Sequence, residues 1–378
     1  MRILGIICEY NPFHKGHEYQ LKTHKKELSA DGVICLMSGN FVQRGAPAIY
    51  DKWKRAKTAV LCGADLVLEL PVVYASQSAM RFTHGAVSLL DSLGCVDYLS
   101  FGSECGDLEK ITKTCDLVFS ESFKGLVSNE MKSGLSYPAA RSEVLKKHFP
   151  DFDEELLSRP NNILALEYLN SLKLLNSKIK PVTIKRNFDF ISASEIREKL
   201  EKGEDVSPYI PYENENIPYD KGAFDTIVSY HFRNATAENL KTVADVAEGL
   251  ENRFLKHANE TFGFDALSES VKTKRYTKTR IDRIIINSLL GITDKDTEKS
   301  PQYARVLTFN EKGTKIINEI NKNSKIPVIT KVADWTENNS PDFERMLKKD
   351  ILATDIYSLL TSEKQGGKDF KTSPLYIK

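Results

Sequence analysis

The sequence lacks most of what would place it outside the ordinary globular class. No apolar run approaches the roughly 20 residues of a membrane span. The six cysteines (Cys8, Cys35, Cys62, Cys95, Cys105, Cys115) include no Cys-x-x-Cys pair. That spacing argues against a structural zinc site, and the cysteines read as reduced, mostly buried thiols of a cytosolic protein. Neither sign of charge prevails: 53 Lys and Arg against 52 Asp and Glu leave a net +1. The whole molecule therefore offers no field for a polyanion, and a nucleic-acid partner needs a local basic patch. There is no internal repeat and no low-complexity tract. The opening Met1-Arg2-Ile3-Leu4-Gly5-Ile6-Ile7-Cys8 runs straight into a polar loop, as a buried first strand does and a signal peptide does not.

What is present is a chain of 378 residues, 41% hydrophobic and 28% charged, long enough for one large or two ordinary domains. Its first half alternates short apolar runs, expected as strands over 2–9, 32–37, 65–70, 96–101 and 181–185, with amphipathic stretches. Those are expected as helices over 18–29, 51–62, 76–93, 163–175 and 192–202. Repeated βαβ units imply an α/β fold, a doubly wound, mostly parallel sheet with its site at the carboxyl ends of the strands. Residues 209–219, rich in Pro, Asn and Glu, read as a linker. Beyond it the spacing is helical over 223–232, 239–258, 266–272, 281–290 and 302–306, with one strand-like run at 325–331. The expected division is a catalytic domain over 1–208 and a smaller, mostly α-helical domain over 220–378.

The segment His14-Lys15-Gly16-His17 lies between the first strand and the first helix. Two imidazoles and the N–H groups of a helix start would meet there at a point of positive dipole character, which suits a phosphate. Gly16 lets backbone approach a ligand closely. Imidazoles so placed can steady the charge that builds up as a nucleophile attacks an α-phosphorus. The alternative, two surface histidines flanking a loop glycine, fits the strand–loop–helix context less well. Metal ligation is disfavoured too, because the spacing of three comes with no nearby carboxylates. Ile191-Ser192-Ala193-Ser194-Glu195-Ile196-Arg197 opens a later helix; Ser192 and Glu195 form a capping-box pattern, and Ser194 and Arg197 are expected to face the same phosphates.

These motifs resemble the HIGH-type nucleotidyltransferase superfamily. The fuller set resembles the bacterial tRNA(Met) cytidine acetate ligase family, and the likeness covers nearly the whole chain. It rests on Glu9-Tyr10-Asn11-Pro12-Phe13-His14-Lys15-Gly16-His17, Met37-Ser38-Gly39-Asn40-Phe41-Val42-Gln43-Arg44-Gly45, Asp65-Leu66-Val67-Leu68-Glu69-Leu70-Pro71, Phe101-Gly102-Ser103-Glu104 and Pro160-Asn161-Asn162-Ile163-Leu164. Lys274-Arg275-Tyr276-Thr277-Lys278-Thr279-Arg280 and Ala304-Arg305-Val306-Leu307 extend it into the second half. The resemblance implies acetyl-adenylate formation from acetate and ATP, with Mg²⁺ carried in by the nucleotide. Acetyl transfer to N4 of the wobble cytidine of elongator tRNA(Met) would follow. It also implies an ATP loop of Ile7, Cys8, Glu9, Tyr10, Asn11, Pro12, Phe13, His14, Lys15, Gly16, His17, Glu18, Tyr19 and Gln20. Gly102, Asn161 or Asn162, and Arg186 would complete the nucleotide site. The chain departs from the family between Arg186 and Ser192, where it has only Asn187-Phe188-Asp189-Phe190-Ile191 and relatives carry a longer insertion.

Gln43 and Arg44, between glycines after the second strand, could bind the small carboxylate, Arg44 through a bidentate fork, or could simply form a turn. Lys52, Lys54, Arg55 and Lys57 read as a solvated helix face, with RNA contact as the rival reading. The denser patch Lys272, Lys274, Arg275, Lys278, Arg280 and Arg283, interleaved with Tyr276, is the candidate tRNA surface. Two other functions compete with the ligase. One is a carboxylate ligase of the pantothenate-synthetase type without an RNA substrate; the other is a non-catalytic RNA-binding protein.

Overall fold

Why the chain folds into a sheet with its site at one end is visible in a computed structural model, which describes residues 1–135, 137–187, 189–213, 219–247, 249–335 and 339–378. Five apolar runs form parallel strands: β1 (Ile3–Cys8), β2 (Gly32–Ser38), β5 (Leu66–Leu70), β6 (Tyr98–Ser103) and β7 (Lys180–Lys185). They lie in the order β5-β2-β1-β6-β7. Every residue of β2 and of β5 is buried, as helices on both faces require. The chain winds outward from β1 to β2 and β5, then returns to β6 and β7 on the other side. The strand order therefore reverses between β1 and β6, and a crevice opens at their carboxyl ends. After β2 a short antiparallel hairpin, β3 (Phe41–Val42) with β4 (Ala46–Pro47), stands over the sheet.

The second half differs from the expectation in two places. Residues 302–306, read as helix, contribute to strand β8 (Ala304–Phe309), which pairs antiparallel with β5. β9 (Val328–Ile329) and β10 (Leu375–Tyr376) pair in parallel with β8. Tyr303, Ala304, Val306 and Leu307 are all buried, and a strand covered on both faces shows no period by which to tell it from a helix. Residues 239–258, expected as one helix, are two, Ala237–Lys241 and Leu250–Ala258. Gly249 is left-handed at φ +80°, which a continuing helix does not permit. The main sheet is thus built from both halves of the chain. The helices Lys221–Asn234, Leu250–Ala258, Phe264–Val271 and Lys278–Leu289 pack together through Phe224, Phe232, Phe254 and Phe264. Of the expected linker, residues 214–218 lie outside the described residues.

The expectation of a solvated face on the helix Lys52–Leu61 also fails for two side chains. Lys52 and Arg55 are 0% and 2% exposed. Lys52 pairs with Glu69 of β5 at 2.8 Å and with Asp369 at 2.9 Å, and Arg305 of β8 pairs with the same two carboxylates at 3.0 and 2.8 Å. A charge this deep persists only when paired. Both carboxylates reach their cations from distant parts of the chain, so helix periodicity carries no trace of them.

Candidate active site

The loop between β1 and the helix Lys15–Glu27 is set by its histidines. His14 caps the helix: its Nδ1 accepts the Gly16 N–H at 3.1 Å, while the His14 N–H is donated to Nδ1 of His17 at 3.3 Å. The two rings stack at 3.7 Å between centroids, and His17 is backed by Tyr10 and Phe13 at 4.9 and 5.7 Å. Gly16 is required here because a Cβ would lie 2.9 Å from the His14 ring. Burial, and after it the charge of Arg186, lowers the His14 pKa to about 4. Burial, then His14 and Arg186, holds His17 well below its usual value. Both imidazoles are therefore neutral near pH 7. With each Nδ1 already accepting, the ring proton of each neutral histidine sits on Nε2, which is left as an N–H donor.

The structure corrects one part of the expected phosphate cradle. The first N–H groups of this helix are not free: Lys15 donates to the Tyr209 carbonyl, Gly16 to His14, and His17 to the His14 carbonyl. Donation to an anion thus falls to the two Nε2–H groups, assisted by the helix dipole.

Across the crevice, at the end of β6, space is open over Gly102: a Cβ built there meets nothing within 4 Å. Beyond it Glu104 accepts the backbone N–H of Asn161 and of Asn162 and the side-chain amide of Asn161, at 3.3, 2.8 and 2.8 Å. Arg186 approaches Glu104 at 3.9 Å and is close enough to both histidines to depress them. Asn162 is buried, with its side chain committed to Cys105 and the Glu155 carbonyl. Asn161 is only half-buried, with its side-chain amide on Glu104. Glu104 was not singled out from the sequence. A signal existed: Arg159 precedes the helix Pro160–Leu174 without offering a side-chain cap, so the orphan N–H groups had to find an acceptor elsewhere.

The remaining loop residues hold rather than face the site. Arg197 donates to the Asn11 carbonyl at 2.6 Å and to Ser194 at 3.0 Å, so both act as a clamp on the loop. Ser192 and Glu195 form the expected capping box. Asn11 itself accepts the Ile49 N–H, Gln20 donates to Ser100, Glu18 pairs with Lys22, and Cys8 is half-buried, its thiol pKa raised by desolvation. Tyr19 contacts Phe190 of the short 187–191 segment, of which Phe188 lies outside the described residues.

On the β2 side, the Glu9 carboxylate accepts the Gln43 N–H at 2.8 Å, and the Gln43 amide donates to the Gln77 carbonyl at 2.9 Å. Arg44 is exposed at the hairpin tip. Arg55, read from the sequence as part of a solvated face, is instead a structural clamp. Its buried guanidinium donates to the carbonyls of Glu9, Ser38, Gly39 and Tyr50, tying the ends of β1 and β2 together.

The hairpin rests on the helix Lys278–Leu289; a Cβ on Gly45 would lie 2.4 Å from the Arg283 N. The candidate RNA patch is therefore adjacent, though partly neutralised. Lys272 pairs with Glu269, Lys278 with Asp265 and Asp282, and Arg280 donates to the Asp245 carbonyl. Arg283 is half-buried beside the hairpin, Lys274 and Arg275 are exposed, and Tyr276 is buried beside Arg275 and Arg280. Among the described residues no group of three or more His, Cys, Asp or Glu side chains is arranged to hold a metal ion, and no helix is long and apolar enough to cross a membrane.

Comparison with known proteins agrees with this geometry. The HIGH Nucleotidyl Transferase family model matches residues 1–371. The tRNA(Met) cytidine acetate ligase of Thermoanaerobacter sp. (strain X514) is 46% identical, with 95% of each chain covered. That of Clostridium perfringens (strain ATCC 13124) is 39% identical over 100% of both. Among solved structures, Thermotoga maritima TmcAL bound with alpha-thio ATP superposes with a TM-score of 0.92 at 34% identity over 100% of both chains. The chain belongs to the tRNA(Met) cytidine acetate ligase family of HIGH nucleotidyl transferases.

Proposed function

We propose that this chain is an ATP-dependent tRNA(Met) cytidine acetate ligase acting in the cytoplasm. In the first step the acetate carboxylate attacks the α-phosphorus of ATP, pyrophosphate leaves, and acetyl-adenylate forms. In the second, N4 of the wobble cytidine of elongator tRNA(Met) attacks the acetyl carbonyl and AMP leaves. The observation that carries the reading is the pair of neutral imidazoles, each with Nδ1 occupied and Nε2–H presented, beside the open space over Gly102. Donors fixed before the reaction steady charge on the α-phosphate without reorganising, so catalysis is positioning and electrostatics. Arg186 and Asn161 line the nucleotide side; Gln43 and Arg44 line the acetate side. Imidazole, guanidinium and amide donors suit phosphate oxygens, and Mg²⁺ enters with ATP, held by its phosphates and by water. The RNA reaches the hairpin across Lys272, Lys274, Arg275, Lys278, Arg280 and Arg283.

The test is incubation of the purified protein with ATP, labelled acetate and bulk bacterial tRNA, followed by nucleoside mass analysis. N4-acetylcytidine is expected only when both ATP and acetate are present. Acetate-dependent pyrophosphate exchange without labelled RNA would leave the ATP site standing and reject the acceptor.

A further inference from the structure

Acetyl transfer needs a proton acceptor that the histidine pair does not provide. The exocyclic amine of cytosine is a weak nucleophile, its lone pair drawn into the ring, and it must shed a proton as it attacks a carbonyl. His14 and His17 present N–H donors, because each Nδ1 is already occupied. The carboxylates around the site are almost all committed. Glu104 holds the start of the helix Pro160–Leu174, Glu69 sits in the buried ion-pair cluster, and Glu195 closes a capping box. Asp51 caps the helix Lys52–Leu61 and pairs with Lys368, and Glu18 pairs with Lys22.

Glu9 differs. One of its oxygens accepts the Gln43 N–H, and among the described residues no donor takes the other. It directly follows β1, and one carboxylate oxygen meets the hairpin loop after β2 at the Gln43 N–H. That places it between the nucleotide site and the hairpin seated on the helix Lys278–Leu289. Its mount is rigid: Arg55 grips the Glu9 carbonyl, and Gln43 is anchored in turn to Gln77. Arg197 lies near enough to feel the charges of both Glu9 and Arg44.

We infer that Glu9 is the general base of acetyl transfer, an assignment that rests on the ligase reading above. As the amine nitrogen bonds to the acetyl carbon, its proton passes to the unengaged Glu9 oxygen. The carbon–oxygen bond to the phosphate breaks, AMP leaves with the electron pair, and Glu9 returns the proton to water. General-base assistance of this kind contributes about 10²–10⁴-fold.

The decisive variant is Glu9→Gln, which keeps an oxygen for the Gln43 N–H and removes only basicity. In the full-length protein, three readouts separate the roles: acetate-dependent ATP–pyrophosphate exchange, trapping of the activated acetyl group by hydroxylamine, and single-turnover transfer to tRNA at saturating RNA. Hydroxylamine attacks without base assistance. Transfer is expected to fall about 10²–10³-fold further than exchange and hydroxamate formation do, with tRNA retention unchanged and Glu9→Asp intermediate. Transfer at the wild-type rate would overturn the assignment. A parallel fall in exchange, trapping and transfer would overturn it too, making Glu9 a support of the ATP loop. If the wild-type protein activates acetate but never acetylates tRNA, the ligase reading itself falls, and Glu9 as its base falls with it.

Discussion

His14 and His17 exchange backbone and ring hydrogen bonds so that neither imidazole can take a proton without losing an acceptor. This has a thermodynamic consequence. Unfolded histidine takes a proton near pH 6.5, whereas the folded His14 resists it down to about 4. Between those values the unfolded chain binds more protons, so stability rises with pH: it is full above about 6.5 and is lost as pH falls toward 4. His14→Gln removes this term. From pH 7 to 5 the wild type is expected to lose about 2 kcal/mol relative to the variant in urea unfolding; parallel pH curves would refute it. For function, His14→Ala or His17→Ala should slow acetate-dependent pyrophosphate exchange by about 10²–10³-fold while tRNA retention persists. The histidines were legible because a strand–loop–helix pattern surrounds them. Arg55 was not, because a cation among helix lysines reads as solvated unless its carbonyl partners at residues 9, 38, 39 and 50 are known.

At the level of elements, the hairpin is the piece whose place decides whether activated acetate and RNA meet. Its seat on the helix Lys278–Leu289 depends on Gly45, which is left-handed at φ +78° and has no room for a Cβ against Arg283 and Asp282. Gly45→Ala is therefore expected to cost about 1–3 kcal/mol. It should also depress transfer to tRNA more than pyrophosphate exchange, since only transfer needs the hairpin and helix together. Equal losses in both steps would show that the hairpin serves only the ATP loop. On the RNA side, Lys272 and Lys278 face carboxylates, and Lys274 and Arg275 are exposed at the turn before the helix. Replacing both with Glu should weaken tRNA binding about tenfold at moderate salt and flatten its salt dependence by roughly two phosphate contacts. Sequence could mark this patch as dense in positive charge. Asp282, four residues on along the same helix, was a readable partner for Lys278; Asp265 was not, because helix packing brings it there from the preceding helix.

For the molecule as a whole, the sheet is the reason the two halves of the chain should not separate. The first five parallel strands were readable from alternation of apolar runs and helices, and with them the reversal of strand order that places the site. Of the last three strands only β9, inside the strand-like run 325–331, was readable; β8 is a continuous buried run, and β10 has two residues. Yet β8 covers the free edge of β5, and Arg305 and Asp369 complete the charges of Glu69 and Lys52. Ending the chain at residue 208 would expose that strand edge and strand a lysine and a glutamate that are both nearly inaccessible to water. Breaking a buried pair by removing one side costs about 3–5 kcal/mol, a large fraction of the stability of an ordinary domain. Residues 1–208 produced alone are thus expected to aggregate or to show no cooperative melt. The full-length Asp369→Asn variant, which keeps the shape but removes one charge, should fold with stability reduced by about 3–5 kcal/mol. A soluble 1–208 fragment that melts cooperatively and binds ATP would mean that the outer strands decorate the sheet rather than complete it.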